Sequence, residues 1–503
     1  MTTPQAQAPA APLKSGLARE MGLLGLVATG VCSMIGAGIN VIPFMIQRHV
    51  PGIGPNVLRA FIFAALPAVL AGLAYAVLAS AMPRAGGSYV YASRALNPYL
   101  GFVASFSQWF SLCVAIGVVS YLIVPFLRDI AVAAGSTAVA ATLETGPIRL
   151  AISLAFLWVA VFVNLRGVKA YERLIVPLMF LTFILGGVVI VAGFSFDHNA
   201  FAAALQARGG GAVPATEAPP LTWSVLLPAS ALMFASFIGF DSIAQAGGEA
   251  KRPGRNLPLA IGIAVVSVGI FYMLFTGAVY HAVPWQFIAA EAQHRDLTAP
   301  GLLGYLLPPK WTVVIVSGAA VALIKDLPAM LLAVSRLMFA WAEDGIFPRR
   351  IAAVHPRFRT PHVAILASAL MATLGIIGCH VAGDFFLGID ILVTSMLVNF
   401  LLMAVSVVTL PGRNPALARD VTVLPSRAVQ VPLAVVAIVV LTAFLAVHTW
   451  RDMTRPVAAW YFCSTPLWLL VMGVGSVIYR RETQKLRRQG VDLVARFATL
   501  PPG

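Results

Sequence analysis

The feature that most constrains this chain is a series of twelve apolar stretches, each long enough to cross about 30 Å of hydrocarbon. They run over 22–46, 57–81, 98–126, 148–165, 172–194, 223–247, 258–282, 311–342, 362–380, 386–409, 431–448 and 456–479. In lipid every backbone polar group needs an internal partner, so such stretches form helices. Composition agrees: of 503 residues 59% are hydrophobic and only 11% charged. Soluble domains carry about 25% charged residues, and this chain has too few to coat a globule of its size. A soluble enzyme and a disordered chain are both excluded. The expectation is an all-α membrane protein of twelve helices.

Charge placement tests that count. There are 34 Lys+Arg against 19 Asp+Glu, a net charge of +15. With the N-terminus inside, 23 basic residues fall on inside segments, 9 on outside loops, and Lys325 and Arg336 within the eighth stretch. Positive charge is retained on the cytoplasmic side, so both termini are expected there. The charges are scattered between apolar runs, which argues against nucleic acid as a partner. The four cysteines, Cys32, Cys113, Cys379 and Cys463, lie in apolar segments without a CxxC pair, so neither a zinc site nor a disulfide framework is indicated. No cofactor, metal or obligate protein partner is expected, and the bilayer is the one macroscopic partner.

The expected organisation is a cytoplasmic tail (1–21), a first half (22–196), an outside loop (197–222), a second half (223–409), two further helices (410–480) and a basic cytoplasmic tail (481–503). The tail is either an interfacial helix or a solvated segment near anionic lipid. The loop holds Gly209-Gly210-Gly211 and Pro219-Pro220 and divides ten helices into two sets of five. Because five is odd, the second set enters from the opposite side, as an inverted-topology repeat.

Matched breaks in two membrane helices point to a transporter site. The first stretch contains Ser33-Met34-Ile35-Gly36-Ala37-Gly38-Ile39, and the sixth contains Phe234-Ala235-Ser236-Phe237-Ile238-Gly239-Phe240-Asp241. Each opens its half. Small residues let the backbone leave the helical path, and the exposed groups are tolerable only where they line a cavity. Bare amides at the start of a half-helix attract a carboxylate, and carbonyls at the sixth break suit an ammonium. Together these describe a site for an α-amino acid. Either segment alone would read better as close helix packing; the pair favours transport.

These residues resemble the amino acid–polyamine–organocation (APC) transporters over most of the chain. The Gly36-Ala37-Gly38 break, the run from Ser236 through Asp241 and Glu249-Ala250-Lys251-Arg252-Pro253 to Arg255-Asn256-Leu257-Pro258, and the segments Ser335-Arg336, Ala342-Glu343-Asp344-Gly345 and His355-Pro356-Arg357-Phe358-Arg359-Thr360-Pro361 carry the likeness. The resemblance implies a five-plus-five inverted repeat of the LeuT type plus two helices, with alternating access and no ATP. It also implies a substrate carboxylate on the Ala37 and Gly38 amides, flanked by Ile35 and Gly36, and an amino group on carbonyls from Phe234 to Phe237. Two departures stand out. The family's aromatic gate is replaced by Ala235, so Phe234 or Phe237 takes over the lid or the pocket is roomier. The lysine that fills a sodium position in the fifth helix of sodium-independent relatives is replaced by Thr182.

Charges inside the membrane are costly and face the interior. Lys325-Asp326 sits in the middle of the eighth stretch. Lys325 is expected to stand in for both the sodium ion and the absent lysine, bridging to carbonyls of the first break. The alternative for Lys325 and Asp326 is a structural ion pair with another helix. Asp241 is either a proton carrier or the cap of the second half-helix. Asp390 could pair with Arg48 as an outer gate, though a structural or solvated role fits better. Glu249 with Arg255, and Arg336 with Glu343 or Asp344, read as structural staples. Trp109, Phe110 and Tyr121 read as packing, and His281, His362 and His380 are assigned no role.

The expected function is secondary transport of amino acids in a bacterial cytoplasmic (inner) membrane, independent of sodium, by proton coupling or exchange. The alternatives are a permease for polyamines or other organic amines and, less favoured, a non-transporting sensor or a channel. A channel would need a continuous polar stripe and a sensor an attached soluble domain. Walker A, GxSxG and HExxH motifs are absent, so an ATP-driven pump or a membrane hydrolase lacks its equipment.

Overall fold

The computed structural model describes residues 16–382, 386–455 and 460–501, without the side chains of Ala37 and Ala382. The expected tail up to residue 15, and the first four positions of the 456–479 stretch, lie outside the described residues.

In chain order the helices are α1 (Leu23–Met34), α2 (Ala37–His49), α3 (Val57–Ala81), α4 (Gly87–Ala95), α5 (Pro98–Ala133), α6 (Thr137–Glu144), α7 (Gly146–Leu165), α8 (Val168–Ser195) and α9 (His198–Ala207). They continue with α10 (Trp223–Met233), α11 (Asp241–Gln245), α12 (Pro253–Ala282), α13 (Trp285–Ala292), α14 (Ala299–Leu303), α15 (Pro309–Glu343), α16 (His362–Ala382), α17 (Phe386–Arg413), α18 (Pro415–Arg419), α19 (Arg427–Thr454), α20 (Ser464–Arg488) and α21 (Leu493–Ala498). Short 3-10 turns intervene, one of them Phe234–Phe237.

Among the described residues ten helical lengths are long and apolar enough to cross a membrane, with α1 and α2 together forming one of them, and Trp223–Phe237 is a shorter apolar helix. Burial separates centre from periphery. The most apolar window of Leu23–His49 is 94% buried, whereas those of α7, α8 and α19 are each 28% buried. Val191, Val266 and Val439 point outward at 69%, 60% and 63% exposure, as befits helices that meet lipid tails rather than water. The core around α1 is formed by α8, α12 and α15, while α15 also lies along α5.

Local chemistry sets the boundaries. Asn97 caps α5 by accepting from the Leu100 amide at 2.9 Å, with Pro98 as the first helical residue. Gly167, at φ +101°, turns the chain between α7 and α8, where an L side chain would be strained.

Two expectations about the connections change. The 197–222 segment begins with α9, capped by Asp197 at 2.8 Å from the Ala200 amide. Its Phe201 is buried against Phe287 and Tyr305, and that contact orders a segment that composition alone reads as loop. The C-terminal basic segment also docks on the protein. Phe497 lies 4.9 Å under the Arg94 guanidinium, Arg94 donates to the Thr499 carbonyl at 3.1 Å, and Arg84 donates to the Pro501 carbonyl at 3.0 Å.

Candidate functional site

The centre of the bundle is built from two interrupted helices. After Met34, Ile35 is extended (φ −82°, ψ 91°) and Gly36 lies at φ −142°, ψ −133°, before α2 resumes at Ala37. No side chain caps the new helix, so its first-turn amides carry the positive end of the dipole without an intrahelical partner. The second interruption is the extended Ile238 after Phe234–Phe237, followed by Gly239 at φ +139°. Glycine is required there twice over: the angle disfavours any Cβ, and a Cβ would also strike the Ser33 carbonyl.

The two interruptions are clasped together. The Tyr272 hydroxyl on α12 donates toward the Met34 carbonyl at 2.5 Å and the Ser236 carbonyl at 2.9 Å. Ser33 and Ser242 share a hydroxyl–hydroxyl bond of 2.9 Å. A Cβ on Gly38 would sit 3.1 Å from Ser236 Oγ and 3.2 Å from Ser236 Cα, so the backbones approach as closely as small residues permit.

Between them lies a cavity of about 80 Å³, far below the ~300–1,000 Å³ of pockets for drug-sized ligands. Its polar end is formed by Ser33, Gly36, Gly38, Ser236, Gly239 and Asp326. Its walls are apolar, with Val41 and Ile42 from α2, Val118 and Val119 from α5, and Leu392 from α17. The hydroxyl of Ser236 is buried without a hydrogen-bond partner, a costly arrangement in isolation.

The residues singled out from the sequence separate accordingly. Gly36, Gly38, Ala235, Ser236 and Gly239 line the cavity. Phe234 and Phe237 are not among its lining residues: Phe234 packs edge-on against Phe400 and Phe444, and Phe237 against Phe61 and Tyr272. Of the three, only Ala235 borders the cavity in this structure. The backbone of Ala37 starts α2. Ile35 and Thr182 line a neighbouring space of about 20 Å³, where the Thr182 hydroxyl bonds the Leu178 carbonyl of its own helix at 2.8 Å.

Lys325, fully buried, donates to the Cys32 and Ile35 carbonyls at 3.2 and 2.5 Å and to Asp326 Oδ1 at 3.4 Å. Its ammonium thus lies on the carbonyl end of α1, where the helix dipole favours a cation. A Cβ on Gly36 would land on Asp326 Oδ2, which places that carboxylate against the start of α2. Asp241 caps its own interruption, with Oδ1 accepting from the Gly239 amide at 3.1 Å and Oδ2 bonded by Gln108.

Several expected pairings are replaced. Glu249 is bonded not by Arg255 but by Arg336, through two bonds of 3.0 and 2.6 Å. Arg336 therefore bonds neither Glu343 nor Asp344, and Asp344 takes a bidentate contact from Arg94 at 2.6 and 3.0 Å. Asp390 pairs with Arg455 at 2.8 Å, whereas Arg48 faces Asp296 at 3.5 Å. Each true partner is remote in sequence, so neighbour spacing could not reveal it.

Sequence reasoning also missed a buried polar chain beside the site. Asn399 donates to Tyr75, Tyr75 and Ser88 share a 2.6 Å bond, and Gln245 reaches both Ser88 and Gln108 at 2.8 and 3.3 Å. The available signal was the placement of Gln108 and Asn399 within apolar stretches. Among the described residues no group of three His, Cys, Asp or Glu could hold a metal ion.

The comparisons with known proteins point one way. The model of the amino acid permease family matches residues 21–477. A branched-chain amino acid permease of Bacillus subtilis is 26% identical over 83% of this chain and 87% of its own length. A methylthioribose transporter of the same organism is 25% identical, over 79% and 82% respectively. The human cationic amino acid transporter 4 is 27% identical over 71% of this chain and 55% of its own.

Proposed function

The chain belongs to the amino acid permease family, a family of transporters and not of enzymes, and from that premise we propose that it carries small apolar amino acids by alternating access. In this reading twelve helices cross the membrane: the ten long lengths, the interrupted α10–α11 and α20. Residues 22–196 and 223–409 form inverted repeats, and both termini face the cytoplasm of a bacterial cell bounded by this inner membrane.

The observation that carries the reading is the partnerless Ser236 hydroxyl in a cavity between two helix interruptions. A substrate carboxylate satisfies the α2 amides, and Ser236 and the nearby carbonyls complete the polar end. The side chain then lies among Val41, Ile42, Val118, Val119 and Leu392. Those walls are apolar, which suits a branched-chain side chain, as in the name of the Bacillus subtilis relative, better than a cationic one. The Lys325 ammonium occupies the α1 carbonyls that would otherwise attract a cation, which supports transport without sodium.

The test is uptake of labelled leucine into proteoliposomes, with competition by valine, lysine, spermidine and methylthioribose. Leucine uptake blocked by valine but not by lysine or spermidine, with or without sodium, is the expected result. Uptake of spermidine or methylthioribose without leucine would overturn the assignment.

A further inference from the structure

The two sides of the central cavity differ. On one side a vestibule of about 1040 Å³ shares Val41 and Leu122 with the cavity. On the other side the bundle is sealed, with Gln245 and Glu249 0% exposed and Arg336 1%. The segment from Phe497 to Pro501 lies over this sealed side. We propose that the ends of α4 and α15 form a peptide-binding cradle for this segment, and that the segment must leave the cradle before the sealed side can open, so that it restrains transport. The inference rests on the proposed alternating access.

The cradle is built mainly from donors. Asn414 donates to the Ala498 carbonyl at 2.9 Å, Arg94 Nε to the Thr499 carbonyl at 3.1 Å and Arg84 Nε to the Pro501 carbonyl at 3.0 Å. The occupant is suited to them. Proline has no N–H and holds the residue before it extended, and Leu500-Pro501-Pro502 supplies two such positions in a row. The result is a strip whose polar groups are chiefly acceptors. Phe497 anchors it, 5% exposed, with its ring 4.9 Å from the Arg94 guanidinium and edge-on to Tyr89 at 6.5 Å.

The cradle spans both proposed halves of the bundle. Arg84, Tyr89 and Arg94 belong to residues 22–196, whereas Asp344 and Gly345 follow α15 in residues 223–409. A Cβ on Gly345 would come within 3.1 Å of Leu486 and 3.3 Å of Arg496, so the chain leading to Phe497 rests on the second half. Arg94 is the junction. Its terminal nitrogens hold Asp344 at 2.6 and 3.0 Å, and its remaining nitrogen, Nε, is the one that takes the Thr499 carbonyl. Unseating the segment strands that buried N–H and loosens the clasp between the halves. Contacts made only while this side is sealed shift the population toward the sealed state, and opening it then becomes a slow step of the cycle.

The experiment is leucine uptake into proteoliposomes by the full chain, by a variant ending at Gln489 and by Phe497→Ala. A synthetic peptide of residues 490–503 is supplied on both sides of the membrane. Removing the segment should raise kcat and KM together by about tenfold, the worth of one hydrogen bond from a charged group. Phe497→Ala should move both constants in the same direction, and the peptide should return the shortened protein toward the unaltered values. Uptake that is unchanged or slowed in both variants would overturn the proposal, and slowing accompanied by a lower melting temperature would make the segment a structural staple. Should the shortened protein fail to fold, Phe497→Ala carries the same test alone. Absence of amino acid uptake by the unaltered protein would instead remove the parent reading, and this inference with it.

Discussion

The bidentate pair between Arg336 and Glu249 lends itself to a quantitative test. Its side chains are 1% and 0% exposed, and its two contacts measure 3.0 and 2.6 Å. The pair joins α15 to the segment after α11, which also exchanges backbone bonds with Met21 at 2.9 and 2.8 Å. With charge centres about 4 Å apart and an effective dielectric of about 20, the attraction is about 4 kcal/mol. Neutralising one partner strands the other in a buried site, so Arg336→Met and Glu249→Gln should each cost about 3–5 kcal/mol. Removing both charges removes the stranded ion as well. The double variant should therefore lose much less than the sum, with a coupling energy of about 2–4 kcal/mol. Chemical denaturation in mixed micelles, followed by tryptophan fluorescence, measures all four corners of the cycle. Single losses below about 1 kcal/mol, or losses that simply add, would refute the assignment of a buried, mutually dependent pair.

Gly38→Leu should abolish amino acid binding without unfolding the bundle, because its Cβ alone comes within 3.1 Å of Ser236; binding of leucine at normal affinity would refute the site. Ser236→Ala removes a buried hydroxyl that has no protein partner, so thermal stability should hold or rise. Leucine affinity should meanwhile fall about tenfold, the equivalent of a bond to a charged group worth about 1.5 kcal/mol. Lys325→Ser uncovers the Cys32 and Ile35 carbonyls, and uptake by this variant should become stimulated by sodium, which parallel assays in sodium and choline buffers would detect.

The fold class was legible because apolar length and scattered charge leave a chain few alternatives. The interruptions at Gly36 and Gly239 were legible for a local reason: glycine in a membrane stretch is costly unless the backbone needs it, and Gly239 at φ +139° does. What stayed hidden depends on contacts between distant segments. Arg336 has Glu343 and Asp344 within eight positions yet bonds Glu249 from another part of the chain. Tyr272 reads as one more aromatic in an apolar run, and only the crossing of α12 behind both interruptions gives its hydroxyl a task. The helix α9 was hidden in a segment rich in glycine and proline, because Phe201 finds its partners far along the chain, in α13 and just after α14.

The Tyr272 clasp has a consequence for what the cavity can welcome. A hydroxyl has one proton to give, yet two carbonyls, from Met34 and Ser236, face it at 2.5 and 2.9 Å. They are rivals for a single donor, and at any instant one of them is underserved. An arriving ammonium brings three N–H groups, enough to end the rivalry without displacing the tyrosine. Under the proposed docking, selection for a primary amine begins as a local shortage of protons, written into the backbone before any charged side chain takes part.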